Sequence, residues 1–433
     1  MAAVRRSQSK LIAAAGMWSI WQNTTMGSVH RLFVMCLGGG ALHMGVLEAV
    51  VQGSVLGQFL GLRLLPRLGK TGLVAAGRLA GTIPLVGLVV LAAVGQTGPA
   101  PIALAILAYA AMNFCHATGS TGWWPLMQDN TLVGEVGAFF ARIRTRLRLV
   151  DVMIPIAIGA FLGKAPKAWR FVPPFLLAVA SLLAAAWLVR KVRHRPPEEP
   201  QVPLGLRLRL AGRSASIRRY LAFVLQNSFL LGMVAPLWPF LLKEHRGMPD
   251  AYVIWLVAVS AIGHLAGLRL WAWLVDSHGC RSVLTLSVTG SAAMGLAWLA
   301  LPEGGVGVTI WAAAYFLLWG FIEGGILMGR TTAMLAAVPS VYQADGLMLS
   351  MLALCGGASL GGLAGGAILD SLARRFPHPA WPDPKVLYLA GVQLLLIFSL
   401  LPGRRLHGRA RQTPTREILA LFWQRLTGKR ETD

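Results

Sequence analysis

The chain has 433 residues, of which 55% are apolar and only 13% charged, against about a quarter charged in ordinary soluble domains. Its 40 Lys and Arg outnumber 17 Asp and Glu, for a formal net charge of +23. That balance invites a nucleic-acid partner, but the basic residues recur in short clusters between long apolar runs instead of forming one stripe, which excludes a soluble nucleic-acid binder and describes the loops of a membrane protein.

A helix needs about 20 apolar residues to cross a ~30 Å hydrocarbon layer. In chain order, that length picks out spans at 11–37, 41–63, 72–95, 100–125, 146–164, 170–190, 219–242, 250–274, 282–301, 305–330, 345–368 and 386–403. The sequence thus predicts an all-α integral membrane protein with twelve transmembrane helices. Residues 1–10 are short and basic, yet the apolar stretch behind them carries Trp18, Gln22 and Asn23 with no cleavage site, so it is expected to be a first span. With the N-terminus cytoplasmic, the far side carries Lys164, Lys167, Arg170, Lys243, Arg246, Arg374, Arg375 and Lys385. Arg31 lies inside the first span, which leaves 31 of the 40 basic residues on the cytoplasmic side. Both termini are therefore expected there, and the positive charge is mostly topology. The Arg142, Arg144, Arg146 and Arg148 cluster is expected to touch anionic headgroups.

The organisation expected is an N-terminal six-helix bundle at 1–190, a central cytoplasmic linker at 191–218, a C-terminal six-helix bundle at 219–403, and a basic tail at 404–433. Pro196, Pro197 and Pro200 mark the linker, and Ile418, Leu419, Leu421, Phe422 and Leu426 predict an interfacial helix in the tail. The four cysteines, Cys36, Cys115, Cys280 and Cys355, stand far apart and have neither metal spacing nor a disulfide framework.

An internal repeat relates the two bundles. Residues 56–64 read LGQFLGLRL and 262–270 read IGHLAGLRL, five of nine identical at an offset of 206. Gln22, Asn23 and Thr24 return as Gln226, Asn227 and Ser228, and Tyr109 and Gly119 as Tyr315 and Gly325. Each match joins a span to the one six further on, so the bundles are pseudo-symmetric, with Gln58 and His264 at equivalent positions.

The loop after the eighth span, residues 271–281, reads WAWLVDSHGCR. It resembles the loop signature G-x-x-x-D-R-x-G-R-R of the major facilitator superfamily: Asp276, Gly279 and Arg281 match, while Ala272, Ser277 and Cys280 depart. The loop after the second span, Pro66 to Lys70, keeps the glycine and basic residues but has Pro66 in place of the acid, and is four residues shorter measured from the shared GLRL. Span count, repeat and central linker extend the resemblance over nearly the whole chain. It implies a secondary transporter that moves a small solute by alternating access, lined by its first and seventh helices, without cofactor or catalytic residues and with a proton as candidate coupling ion. A bacterial inner-membrane location goes with it. The alternative is a non-transporting relative serving as a scaffold or assembly factor, and a membrane enzyme ranks third because no nucleophile or metal motif is present.

Ionisable groups at membrane depth cost at least ~2.5 kcal/mol on insertion scales and therefore face a bundle interior or a cavity. Here they are Arg31, Glu48, His116, Asp151, His264 and Glu323, with His30 and His43 beside them. Candidate substrate contacts are Gln22, Asn23, His116, Gln226, Asn227 and Glu323, with one amide of each adjacent pair expected to face the cavity because neighbours on a helix point about 100° apart. Each has a plainer role available as a satisfied polar residue between packed helices. Arg31 and Glu48 lie at equal depth on either side of the first turn and are expected to pair. Asp276 and Arg281 are assigned to the cytoplasmic loop, Asp276 bonding the amides of the next helix or a neighbouring arginine. The glycines between Gly356 and Gly366 predict close helix packing, and Trp123 and Trp124 interfacial anchors.

Overall fold

The computed structural model describes residues 2–130, 136–193, 205, 212, 215–302, 304–337, 343–376 and 383–403. Most of the expected linker and all of the expected tail helix lie outside them. Among the described residues the chain is helical without a strand, as a backbone in lipid must be when only its own hydrogen bonds can satisfy it. Each of the twelve expected spans coincides with a helical stretch. The first is Ala2–Thr25 followed by Ser28–Cys36. The second and third run as Ala41–Gly53, a tight turn, and Gly57–Val94. Then come Pro99–Ser120, Val136–Leu162, Val172–Arg190, Ala215–Val234, Asp250–His278, Cys280–Ala293, Gly305–Ala337, Gln343–Arg375 and Pro384–Leu395, several extended by irregular turns. Nine segments among the described residues are long and apolar enough to cross a membrane. One of these, Ala41–Val94, has 54 residues, enough for two crossings. The first and fifth spans fall below the same apolarity because they carry the polar residues that line the interior.

The first span is not the continuous helix expected at 11–37. It breaks at Met26 and Gly27, where Gly27 takes φ 64° and ψ −123°, a conformation open to glycine. The seventh span breaks as well, after Val234, where Pro236 and Pro239 interrupt the ladder and Leu241–His245 widens into a π-helical turn. Broken helices at membrane depth are tolerated where they line a cavity, and both breaks do so here.

The repeat shows in packing. Gly57 and Gly61 press against Phe114, Thr118 and Thr121 of the fourth span, and Gly263 and Gly267, 206 residues on, press against Leu317 and Phe321 of the tenth. The loop glycines also correspond: Gly69 has φ 67° and ψ 170°, Gly279 φ 82° and ψ 163°, so each half turns between its second and third helix through the same glycine-only region. Gly69→Ala or Gly279→Ala is expected to destabilise the protein by about 1–3 kcal/mol, read as earlier thermal unfolding in detergent; unchanged melting of both variants would rule out this account of the turns.

The eleventh span is the wedge between the halves. Gly357, Gly361 and Gly365 sit on the backbone of Leu225, Phe229 and Met233 in the seventh span, while Gly362 and Gly366 meet Gly45 and Glu48 of the second. The fifth and eighth spans form the matching seam, with Gly159 against Trp255 and Trp255 Nε1 donating to the Ile156 carbonyl at 3.1 Å. Beyond it the Asp250 amide donates to the Lys164 carbonyl at 3.1 Å and the Ala251 amide to that of Gly163 at 3.0 Å. These seams lie toward the ends of the spans remote from the basic loops.

Candidate functional site: a polar cavity between the halves

Below the seams the halves part around a cavity of about 1280 Å³. The N-terminal half lines it with the first, second and fifth spans, the C-terminal half with the seventh, eighth, tenth and eleventh.

Its N-terminal wall is built on Asp151. Positions 18, 19, 22, 23 and 26 form a stripe down the first helix, which brings Ser19 and Asn23 against the fifth span. Ser19 Oγ donates to Asp151 Oδ1 at 2.7 Å, Asn23 Nδ2 donates to the same oxygen at 2.8 Å, and Arg148 Nη1 donates to Asp151 Oδ2 at 3.2 Å. Arg148 also reaches across to the other half, where its Nη2 lies 3.2 Å from His264 Nε2. Because a guanidinium only donates, the imidazole accepts at Nε2. Arg148 therefore faces the cavity and not the lipid headgroups: its position, three residues before Asp151, puts both side chains on one helical face.

Replacing Asp151 by leucine removes an acceptor from three donors at once, while Arg148→Leu leaves Asp151 bonded to Ser19 and Asn23. The first is expected to cost about 1.5–3 kcal/mol and the second less, by thermal melting of purified protein; the reverse order would remove Asp151 from the centre of this cluster.

Deeper toward the closed end, Arg31 Nη2 donates to Glu48 Oε2 at 2.8 Å, and Gln52 Nε2 donates to Glu48 Oε1 at 2.8 Å. All three line the cavity. Opposite them the tenth span contributes Phe316, Trp319, Glu323, Leu327 and Arg330, backed by Trp238 edge-on to Trp319 with ring centres 4.9 Å apart.

The sequence candidates divide accordingly. Gln22 and Asn23 both line the cavity, against the expectation of one, because the lining stripe is wide enough for adjacent positions. Neither Gln226 nor Asn227 does. Asn227 is buried and its Nδ2 donates to Ser399 Oγ of the twelfth span at 3.3 Å, and Gln226 lines a separate apolar groove beside Leu225 and Phe229. Ser228 lines the cavity in their place. His116 is also outside it: Trp18 Nε1 donates to its Nε2 at 2.7 Å and its ring lies against Trp18 and Trp21. Glu323 lines the cavity, exposed to it. Asp276 is exposed and makes no ion pair among the described residues, and no side chain caps the helix beginning at Cys280, so the expected cap is absent. Arg281 is half-buried, its carbonyl accepting from Thr285 Oγ1 at 2.9 Å.

Sequence reasoning missed Arg330, which stands seven residues after Glu323 and so on the same helical face. It also missed Arg78, buried beneath the Trp123 ring and donating to the Ala185 carbonyl at 2.9 Å, a structural contact away from the cavity.

The sequence matches no family model and no curated protein. Solved structures do resemble it. A crystal structure of a mutant of the nucleoside transporter NupG aligns over 92% of this chain and 99% of its own, with a TM-score of 0.70 and 12% identity. A D-xylose-proton symporter aligns over 94% and 99%, at 0.67 and 14%. A bacterial homologue of the iron transporter ferroportin, in an inward-facing state, aligns over 93% and 98%, at 0.63 and 16%. Whole-chain coverage of such neighbours shows that this chain has their fold, the major facilitator fold.

Proposed function

We propose that the protein is a secondary transporter of a small solute, working by alternating access in a bacterial inner membrane with both termini cytoplasmic. The observation that carries this is the cavity: polar and charged side chains from both halves converge on a space of about 1280 Å³, sealed at one end by glycine seams. A scaffold would have no use for such a space and would fill it with apolar side chains. By the distribution of basic residues, the sealed end is the outer one and the conformation is inward-facing. The neighbours, a nucleoside transporter, a D-xylose-proton symporter and a bacterial homologue of an iron transporter, support transport as the activity and leave the solute open. A proton is the coupling ion favoured here, with Asp151, His264 and Glu323 as groups in the cavity able to hold it.

Paired spin labels test the reading. Labels replacing Arg67 and Ser277 report the cytoplasmic ends, and labels replacing Lys164 and Phe376 the outer ends, all exposed positions. A transporter is expected to show a second population in which the first distance shortens as the second lengthens. A single fixed distance at both ends, in every solute and across a pH range, would leave the scaffold as the better account.

A further inference from the structure

Seven charged side chains line the cavity; Arg269 is exposed on the eighth span, and the other six fall into two groups. Arg31 is matched by Glu48 and Arg148 by Asp151. Glu323 and Arg330 line the same cavity, yet neither makes a hydrogen bond or ion pair among the described residues. They stand seven residues apart, two turns or about 10 Å along the tenth helix. Glu323 also lies within electrostatic reach of Arg330 and Arg148 without contacting either.

Phe316, Trp319, Glu323, Leu327 and Arg330 follow one another at intervals of three or four, forming one helical face toward the cavity. From the sealed end, that face presents an aromatic surface, an acid, a leucine and a guanidinium. The aromatic surface is held by packing, since Phe316 and Trp319 both meet Trp238 edge-on, at 5.2 and 4.9 Å between ring centres.

Ligands of different charge meet this face differently. A simple cation would pair with Glu323 but face repulsion from Arg330 and Arg148. A simple anion would pair with Arg330 but be opposed by Glu323. A neutral sugar or nucleoside would leave both charges uncompensated in a partly desolvated cavity. A molecule with an ammonium and a carboxylate a few ångströms apart matches both at once and leaves neither Glu323 nor Arg330 uncompensated.

Resting on the transporter reading above, we infer that the solute is a small zwitterion, an amino acid or short peptide with an apolar substituent. Its ammonium pairs with Glu323, its carboxylate with Arg330, and its apolar group lies against Phe316 and Trp319.

The test uses the full-length protein in detergent, with ligand-dependent thermal shift as readout. The probes are phenylalanine, the dipeptide phenylalanyl-alanine, N-acetyl-phenylalanine, phenylalanine methyl ester, uridine and xylose. Phenylalanine or the dipeptide is expected to stabilise. Blocking either charge of phenylalanine should weaken binding by roughly thirtyfold or more, the scale of leaving one partner of a desolvated charge pair unmatched. Glu323→Gln should reduce the penalty for the N-acetyl form and Arg330→Gln the penalty for the ester, each leaving the other penalty in place. If the variants fold poorly, the series on the unaltered protein still decides. Equal binding of phenylalanine and its blocked forms, or tight binding of uridine or xylose, would overturn the zwitterion while leaving transport intact. So would silence across all six probes in a protein whose spin-label distances still exchange. Absence of exchange would instead remove the transporter reading on which the inference rests.

Discussion

Glu48→Ala is expected to destabilise the protein by about 3–5 kcal/mol, and the double variant Arg31→Met/Glu48→Met by clearly less. The two side chains are only 15% and 10% exposed, and the 2.8 Å bond between them joins the start and end of the first helical hairpin. Removing the carboxylate leaves a guanidinium at membrane depth with its principal partner gone, and also strands the amide of Gln52. Removing both charges eliminates the desolvation cost together with the attraction that offset it. Denaturant titration of the purified protein distinguishes the cases. Equal losses for the single and double variants would mean that Arg31 finds another partner and that the pair is no clasp. Glu48 also touches Gly362 across the seam between halves, so the same variants should change the spin-label populations.

Gly366→Leu is expected to shift the equilibrium between access states by roughly 5- to 150-fold toward the outward-open form, the equivalent of about 1–3 kcal/mol of overpacking. A Cβ at Gly366 would meet Gly45 Cα at 2.8 Å and the Ala41 carbonyl at 3.0 Å, backbone atoms that no side-chain rotation can clear. Relief comes when the second and eleventh spans separate, which opens the end that the glycine seams close. The distance between labels at positions 164 and 376 should lengthen. Gly356→Ala is the control, because nothing lies within 4 Å of its Cβ and both distances should stay put. An unchanged outer distance in Gly366→Leu, with lowered stability alone, would show that this seam does not open in the working cycle.

Much of the fold was legible because lipid simplifies the problem. A segment of about 20 apolar residues has few choices other than a helix, and clusters of Lys and Arg mark the ends that stay in the cytoplasm. The offset of 206 between LGQFLGLRL and IGHLAGLRL carried information on packing, since Gly57, Gly61, Gly263 and Gly267 hold the same kind of contact in both halves. Equal depth on either side of a tight turn was enough to suggest that Arg31 meets Glu48. The break at Gly27 was less visible, because a glycine in an apolar run is common in membrane helices and only its neighbours decide whether it bends.

The site was legible in part. Counting buried ionisable residues selected Glu323, Asp151 and His264, which line the cavity, but also His116, which does not. Depth is a property of one helix, whereas facing is a relation among several. His116 lies under Trp18 and Trp21, and Asn227 against Ser399, because the first and twelfth spans approach those faces. Nothing in the local sequence marks that approach. Arg148 was misassigned for a related reason: in sequence it belongs to a run of four arginines at alternate positions, and alternate positions on a helix point some 200° apart.

The sequence by itself determined an all-helical membrane protein, its duplication, the glycines of its two loop turns and which end of each span the basic residues occupy. These follow from local rules of solvation and backbone conformation. Only the tertiary structure decided which helix faces meet, which polar residues are consumed between helices, and that Glu323 and Arg330 remain unmatched in a common cavity. Those outcomes depend on how helices distant in sequence rotate against one another, and that rotation is fixed by the sum of many close contacts, each too small and too nonlocal to be read along the chain.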